Sequence, residues 1–202
     1  MNIIVKPYGS DLCYCRPDTT WERENRDFYS PECVNEVLWA PVVFARVSKA
    51  GKCIGQKFAQ RYYDSIGCGM LMYCRVTDLP VTSCVDHTSI LPMPLYDPEV
   101  LEGTKEFEVF RNGESLNILS SDAATIIATE TAASVISTKH NEWRHLLEDA
   151  LCKASQLTSL RIGDFVAVEL ASVAVLAARE EKEVAVKGTF CENEAFNFRI
   201  LF

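Results

Sequence analysis

Residues Lys49 to Leu79 read KAGKCIGQKFAQRYYDSIGCGMLMYCRVTDL, and the order of elements in this stretch decides the fold. Lys49-Ala50-Gly51-Lys52 is a glycine-containing turn that ends the apolar run Val42-Val43-Phe44-Ala45-Arg46-Val47. Ile54, Phe58, Tyr62 and Ile66 then recur at i, i+4 spacing, which puts them on one helical face and predicts a short amphipathic helix. After Gly67 and Gly69, bulky residues alternate up to Arg75 in a strand-like run. The order is strand, glycine turn, short helix, glycine, strand.

Outward from this stretch, Ile3 to Val5 reads as a short strand stopped by Lys6-Pro7-Tyr8-Gly9-Ser10. Asp11 to Asn35 is polar and mixed, with Pro17, Pro31, Glu22, Arg23, Glu24 and Arg26. It reads as a surface excursion anchored by Trp21 and Phe28-Tyr29, either packed decoration or a lid. Farther on, Glu106-Phe107-Glu108-Val109-Phe110 alternates and meets Arg111-Asn112-Gly113-Glu114, an Asn-Gly hairpin turn with Ser115 to Leu119 as its return strand. Residues 120–138 carry both a capping signal at Ser121-Asp122 and many β-branched residues, so helix and strand compete there. Trp143, Leu146, Leu147, Ala150, Leu151 and Ala154 form a helical stripe. The last strand puts Phe196, Phe198, Ile200 and Phe202 on one face and Asn197 and Arg199 on the other. Short alternating strands with two or three helices predict a β-rich α+β domain.

Taken together, the Gly51-Lys52 turn, Phe58-Ala59-Gln60-Arg61-Tyr62-Tyr63-Asp64, the Asn112-Gly113 hairpin and Leu160-Arg161-Ile162-Gly163-Asp164 resemble the core of the fumarylacetoacetate hydrolase family. Val5-Lys6-Pro7 with Ser10 and Leu12 is similar to that family's Met-Lys-Pro segment. The resemblance implies a mixed, rolled β-sheet, like the family's C-terminal domain, over residues 1–202 as a single domain with 11–35 as the excursion. It places the family's N-terminal lid segment, with its His-Glu pair, ahead of this chain, and no His precedes His87.

The same resemblance locates the family's metal-binding carboxylates. Its Glu-x-Glu falls on Ala40 and Val42, and its third carboxylate on Leu71. A divalent cation needs hard oxygen ligands, which Ala, Val and Leu do not supply. Arg75 is retained, but the acid after it is Val76, and Ser83 stands where the family has its active-site Lys. The family's Thr-Gly-Thr-Pro turn corresponds to Val168-Glu169-Leu170-Ala171, without the Gly and Pro. The reading is therefore no catalytic residue, no metal, and Arg75, Ser83 and Asp86 as candidate substrate-binding residues. Cys84, Asp86 and His87 form a thiol, acid and imidazole group in sequence, but neighbours on a strand point to alternate faces. His140 and His145, five apart, do not share a helical face.

The 202 residues, 48% hydrophobic and 24% charged, suit one globular domain. A net charge of -8 excludes a broadly basic footprint for nucleic acid or anionic membrane. Nine cysteines cannot all pair internally and, without a secretory signal, read as reduced, mostly buried thiols in a cytoplasmic protein. Cys13-Tyr14-Cys15 is too tight for a structural zinc knuckle.

The expected function is that of a catalytically degenerate relative, a homodimer that binds a small acidic metabolite or a protein partner. One alternative is a hydrolase, isomerase or decarboxylase dependent on Mg or Mn, acting on acylpyruvate-like or 1,3-dicarbonyl substrates. That alternative requires Asp78, Asp86 or Glu169 to reach the metal position. The other is a structural subunit that pairs with an active paralogue.

Overall fold

A computed structural model describes residues 1–77, 80–101, 106–116, 136–137 and 142–202. The strands are β1 (Ile3–Lys6), β2 (Tyr14–Arg16), β3 (Trp21–Glu22), β4 (Phe28–Tyr29), β5 (Val34–Val47), β6 (Tyr63–Val76) and β7 (Ser89–Ile90) in the first half. After them come β8 (Glu106–Arg111), β9 (Glu114–Ser115), β10 (Ile136–Ser137), β11 (Phe165–Glu169), β12 (Ala174–Ala178), β13 (Glu183–Phe190) and β14 (Asn193–Leu201). One α-helix, α1 (Glu142–Leu157), is described, together with short 3-10 turns. No helix among the described residues is long and apolar enough to cross a membrane.

An eight-stranded sheet runs in the order β2-β1-β11-β5-β6-β7-β3, with β12 beside β5. Its spine is the long antiparallel ladder of β5 on β6, from Val34↔Val76 to Val47↔Tyr63. The strands β2 and β3 lie at opposite ends of this order, yet only Pro17 to Thr20 separates them in the chain. Joining them over so short a link requires the sheet to roll nearly closed. Mixed parallel and antiparallel pairing, with β1 on β11 parallel and β11 on β5 antiparallel, matches the expected mixed, rolled sheet.

Alternation along the spine sorts side chains to two sides. Val37, Trp39, Val43, Met70 and Met72 face outward onto the second sheet and α1. Leu38, Ala40, Val42, Phe44, Leu71 and Tyr73 face the inside of the roll. The second sheet, β10-β8-β13-β14-β4 with β9 beside β8, supplies Phe107, Val186, Phe196, Phe198 and Ile200 to the outer core. As expected, Phe196, Phe198 and Ile200 are buried on one face of the last strand, while Asn197 and Arg199 are exposed. The helix α1 buries Trp143, Leu147, Ala150, Leu151 and Ala154, the stripe expected of it.

Asn112 and Gly113 both take positive φ, at 50° and 85°, as a two-residue hairpin turn between right-twisted strands requires. The return strand is β9, and residues 117–119 of the expected one lie outside the described residues. So does the undecided stretch 120–138, apart from the strand β10, and so do Asp78 and His140.

Three sequence expectations give way. The predicted amphipathic helix is a 3-10 turn, Gln56–Arg61, and Phe58 is 40% exposed. Tyr63 and Ile66 belong instead to β6, where they pair with Val47 and Ala45; ladder pairing outweighs a local helical period. The excursion at 11–35 contributes β2, β3 and β4 to the two sheets and buries Arg16, Thr20, Glu22 and Phe28. Only Cys68, Cys74 and Cys152 of the nine cysteines are buried; Cys15, Cys33, Cys53 and Cys84 are exposed. All nine are free thiols.

Pro41 lies inside the central strand β5 rather than at a sheet edge. On one side Leu170 N–H donates to its carbonyl at 2.9 Å, and the chain then loops between the end of β11 at Glu169 and the start of β12 at Ala174. A residue's N and C=O point to the same side of a strand, so Pro41 accepts this one bond and cannot return the second of the pair, a single loss that falls where the pairing of β5 with β11 ends.

Candidate functional site

The inside of the roll is where the resemblance puts the family's chemistry. Ala40 pairs with Leu71 and Val42 with Gly69 across β5 and β6, and Glu169 on β11 pairs with Val42 from the other side. Ala40, Val42 and Leu71 are fully buried. They pack with Phe44, Leu91 and Phe165, and Tyr14, Trp21 and Leu95 lie against this cluster from the sides. Trp21 meets Phe165 edge-on at 5.1 Å, and Phe44 meets Phe165 likewise at 5.5 Å. The interior at this level is filled with hydrocarbon and aromatic rings.

Beside it lies a buried polar network. The cation is Arg16, 1% exposed at the end of β2. Its Nη2 donates to the Met72 carbonyl at 2.7 Å and to Thr88 Oγ1 at 2.7 Å, and its Nε donates to the Ser83 carbonyl at 2.9 Å. Its guanidinium stacks over the Tyr73 ring, 5.1 Å from the centroid. The remaining Nη1 has no hydrogen-bond partner among the described residues. Arg16 thus ties one end of the rolled sheet to the β6 and β7 region.

The anion is Glu169, 4% exposed. Tyr73 Oη donates to its Oε1, and the Tyr8 backbone N–H donates to its Oε2 at 3.0 Å. Tyr14 Oη and Tyr73 Oη lie 2.6 Å apart, so the two phenols and the carboxylate form a chain. Burial raises the Glu169 carboxyl above its usual range, opposed by the Tyr73 and Tyr8 hydrogen bonds and by the Arg16 charge. Burial, followed by the neighbouring carboxylate, pushes the Tyr73 phenol far up. Burial lowers the Arg16 value. Both phenols therefore stay protonated donors at neutral pH.

This arrangement does not fit Mg²⁺ or Mn²⁺. Such ions take about six hard oxygen ligands in octahedral geometry. Ala40, Val42 and Leu71 offer none, and the one adjoining carboxylate, Glu169, already accepts from two donors. Among the described residues no group of three or more His, Cys, Asp or Glu side chains is placed to hold a metal.

The residues singled out from sequence are dispersed. Arg75 ends β6 on the face shared by Leu71 and Tyr73, but it is exposed and its Nη1 pairs with Glu36 Oε2 at 2.5 Å. Ser83 enters the network through its carbonyl, which accepts from Arg16. Asp86 is exposed and lines a surface cleft together with His87. Cys84 is exposed and touches Thr82 Oγ1 at 3.0 Å. His87 turns to Glu22 instead, with Nδ1 3.0 Å from Oε2. His145 is exposed on α1.

Sequence reasoning missed Arg16, Glu22, Tyr14 and Tyr73. The only local signal is the alternation Tyr14-Cys15-Arg16, in which Tyr14 and Arg16 point one way and Cys15 the other. Pairing with Val5 and Ile3 of β1 makes that the inward way.

No protein-family model matches the chain, and no curated protein sequence matches it. Solved structures do. Fumarylpyruvate hydrolase from Pseudomonas aeruginosa, in complex with Mn²⁺ and pyruvate, superposes with a TM-score of 0.72 at 11% identity, covering 100% of this chain and 90% of that one. 2-Hydroxyhepta-2,4-diene-1,7-dioate isomerase from Mycobacterium marinum gives 0.70 at 12% identity, over 99% of this chain and 74% of that one. A Yersinia pestis protein described as of the fumarylacetoacetate hydrolase family gives 0.69 at 10% identity, over 99% and 92%. Matches that span nearly the whole chain, together with the rolled mixed sheet, lead to one conclusion: the chain carries the fold of the fumarylacetoacetate hydrolase family.

Proposed function

We propose that this protein is a catalytically degenerate member of that fold, acting by binding rather than by metal-assisted cleavage or isomerisation. The observation that carries the reading is the chemistry of the inner face at Ala40, Val42 and Leu71. Three apolar side chains stand at the positions that the resemblance assigns to metal carboxylates, and they are packed against Phe44, Leu91 and Phe165. A cation placed there would lose its hydration without gaining ligands, at a cost of tens of kcal/mol in an idealised apolar medium. Arg16 and Tyr73 reinforce the reading, because they spend a buried charge and a phenol on closing the roll.

The partner class follows less directly. A free guanidinium at Arg75 would suit a small carboxylate ligand. Its pairing with Glu36 means that such a ligand has to displace an existing ion pair. A protein partner, including a second copy of this chain, requires no such displacement.

Calorimetric titration of metal-stripped protein with Mg²⁺ and then Mn²⁺ tests the proposal. The expected result is no saturable heat with either ion and no hydrolysis of acylpyruvate above the buffer rate. One-site binding that is abolished in Glu169→Gln, accompanied by turnover, would overturn it.

A further inference from the structure

The connection from β5 to β6 is basic in a chain that is acidic overall. Between Val37 and Tyr63 stand Arg46, Lys49, Lys52, Lys57 and Arg61 and no Asp or Glu, against a net charge of -8 for the whole chain. Lys49, Lys52, Lys57 and Arg61 are all exposed on the connection. Gly51 pairs with Leu160 through two backbone hydrogen bonds, of 3.1 and 2.8 Å, which brings the exposed Arg161 alongside them.

These five cations, Arg161 included, are unspent. None of their side chains makes an ion pair or a hydrogen bond with a described residue. Elsewhere on the surface, Arg75, Arg111, Lys187 and Arg199 each pair with a carboxylate. The acids that neighbour the connection are already engaged. Asp64 accepts from Ser65 Oγ at 2.8 Å, Glu148 from Tyr63 Oη at 3.3 Å, and Asp164 from the backbone N–H groups of Asn2 and Arg161 at 2.7 and 2.8 Å. Three of the cations rest on aromatic rings instead: Lys57 Nζ and Arg61 Cζ lie 4.9 and 5.4 Å from the Phe58 centroid, and Lys49 Nζ lies 5.3 Å from that of Tyr62. A ring restrains a long side chain without neutralising it, so the charge and the N–H groups stay open to an anion.

The kind of anion follows from what surrounds the patch. A duplex or an anionic bilayer spreads its charge far beyond a screening length of about 8 Å and would meet the rest of the surface, which carries the whole acidic excess. Single-stranded nucleic acid needs open rings on which to stack its bases. Here both rings already carry cations, and Tyr62 also packs so closely on Gly51 that a Cβ there would lie 2.5 Å from its Cε1. A short acidic stretch of polypeptide has neither difficulty. Its carboxylates meet separate cations one by one, and Phe58 and Ile162, 40% and 69% exposed, offer it apolar contact.

We propose that the β5–β6 connection docks a short Asp- and Glu-rich segment of a partner protein, its carboxylates taken by Lys49, Lys52, Lys57, Arg61 and Arg161. The assignment rests on the reading of this protein as a binder and names the class of partner.

Octaglutamate is the probe, followed by calorimetry in low salt and by NMR of the Phe58 and Tyr62 rings, with octalysine, octathymidylate and phosphatidylserine vesicles as comparisons. Saturable binding of octaglutamate below millimolar concentration, with shifts at both rings, is the expected result. Lys57→Glu and Arg61→Glu should each weaken it at least about tenfold, whereas Lys182→Glu, at an exposed cation outside the patch, should leave it unchanged. No saturation at millimolar octaglutamate, equal binding of octalysine, or equal weakening in Lys182→Glu would each overturn the assignment. Tighter binding of octathymidylate or of the vesicles, or a dimer of this chain that Lys57→Glu disperses, would overturn the acidic segment as occupant. Because Mg²⁺ and Mn²⁺ take no part, a positive metal titration would sink the binding reading while leaving these outcomes separately readable.

Discussion

At the scale of single residues, Arg16 and Glu169 dominate the interior. Truncating Arg16 to Ala removes the donors to Met72, Ser83 and Thr88 and leaves Glu169 without its nearest cation. A loss of roughly 3–5 kcal/mol is expected, as for breaking other buried charge arrangements, read as a lower urea midpoint. Glu169 acts with the opposite sign to most carboxylates. Its folded value is raised from 4.5, chiefly by burial, so the native state holds its proton more tightly than the unfolded chain does. The stability from this group is therefore complete below about pH 4.5 and fades as pH climbs through the raised folded value. In Glu169→Gln this slope is expected to vanish. The wild type minus variant difference in unfolding free energy should fall with rising pH across that window, and a flat or rising difference would contradict the assignment.

The elements show which local patterns survived packing. The strand runs around Val42 to Val47 and from Gly69 to Arg75, the Asn112-Gly113 hairpin, the stripe of α1 and the alternation of β14 were all legible in sequence, since each rests on a period or on turn chemistry. The segment 11–35 was not, because its strands have only two or three residues each and no period to detect. Gly69 belongs to this scale too. A Cβ added there would overlap the Ile90 carbonyl oxygen, because β7 crosses close to β6 at that point. Gly69→Ala is expected to cost about 1–3 kcal/mol in denaturant unfolding, with the strand pairing between β6 and β7 weakened first in hydrogen exchange.

For the whole molecule, the rolled sheet with a second sheet and α1 on its outer face leaves exposed apolar side chains at Tyr8, Leu12, Tyr29, Ile162, Val173 and Val175. The homodimer implied by the family resemblance is expected to appear as twice the 22.7 kDa chain mass in light scattering after size exclusion. A monomer mass across micromolar concentrations would remove that expectation.

The sequence by itself determined the class of this fold and the central runs of its two longest strands, along with the apolar identity of Ala40, Val42 and Leu71. Those properties are local, carried by residue type, alternation and turn chemistry. Only the tertiary structure decided that Arg16 reaches Met72 and Thr88, that Tyr14 meets Tyr73 over Glu169, and that Glu22 finds His87 rather than solvent. Each of these contacts joins residues 56 to 96 positions apart in the chain. Such pairings depend on closure of the sheet, and no local pattern encodes closure.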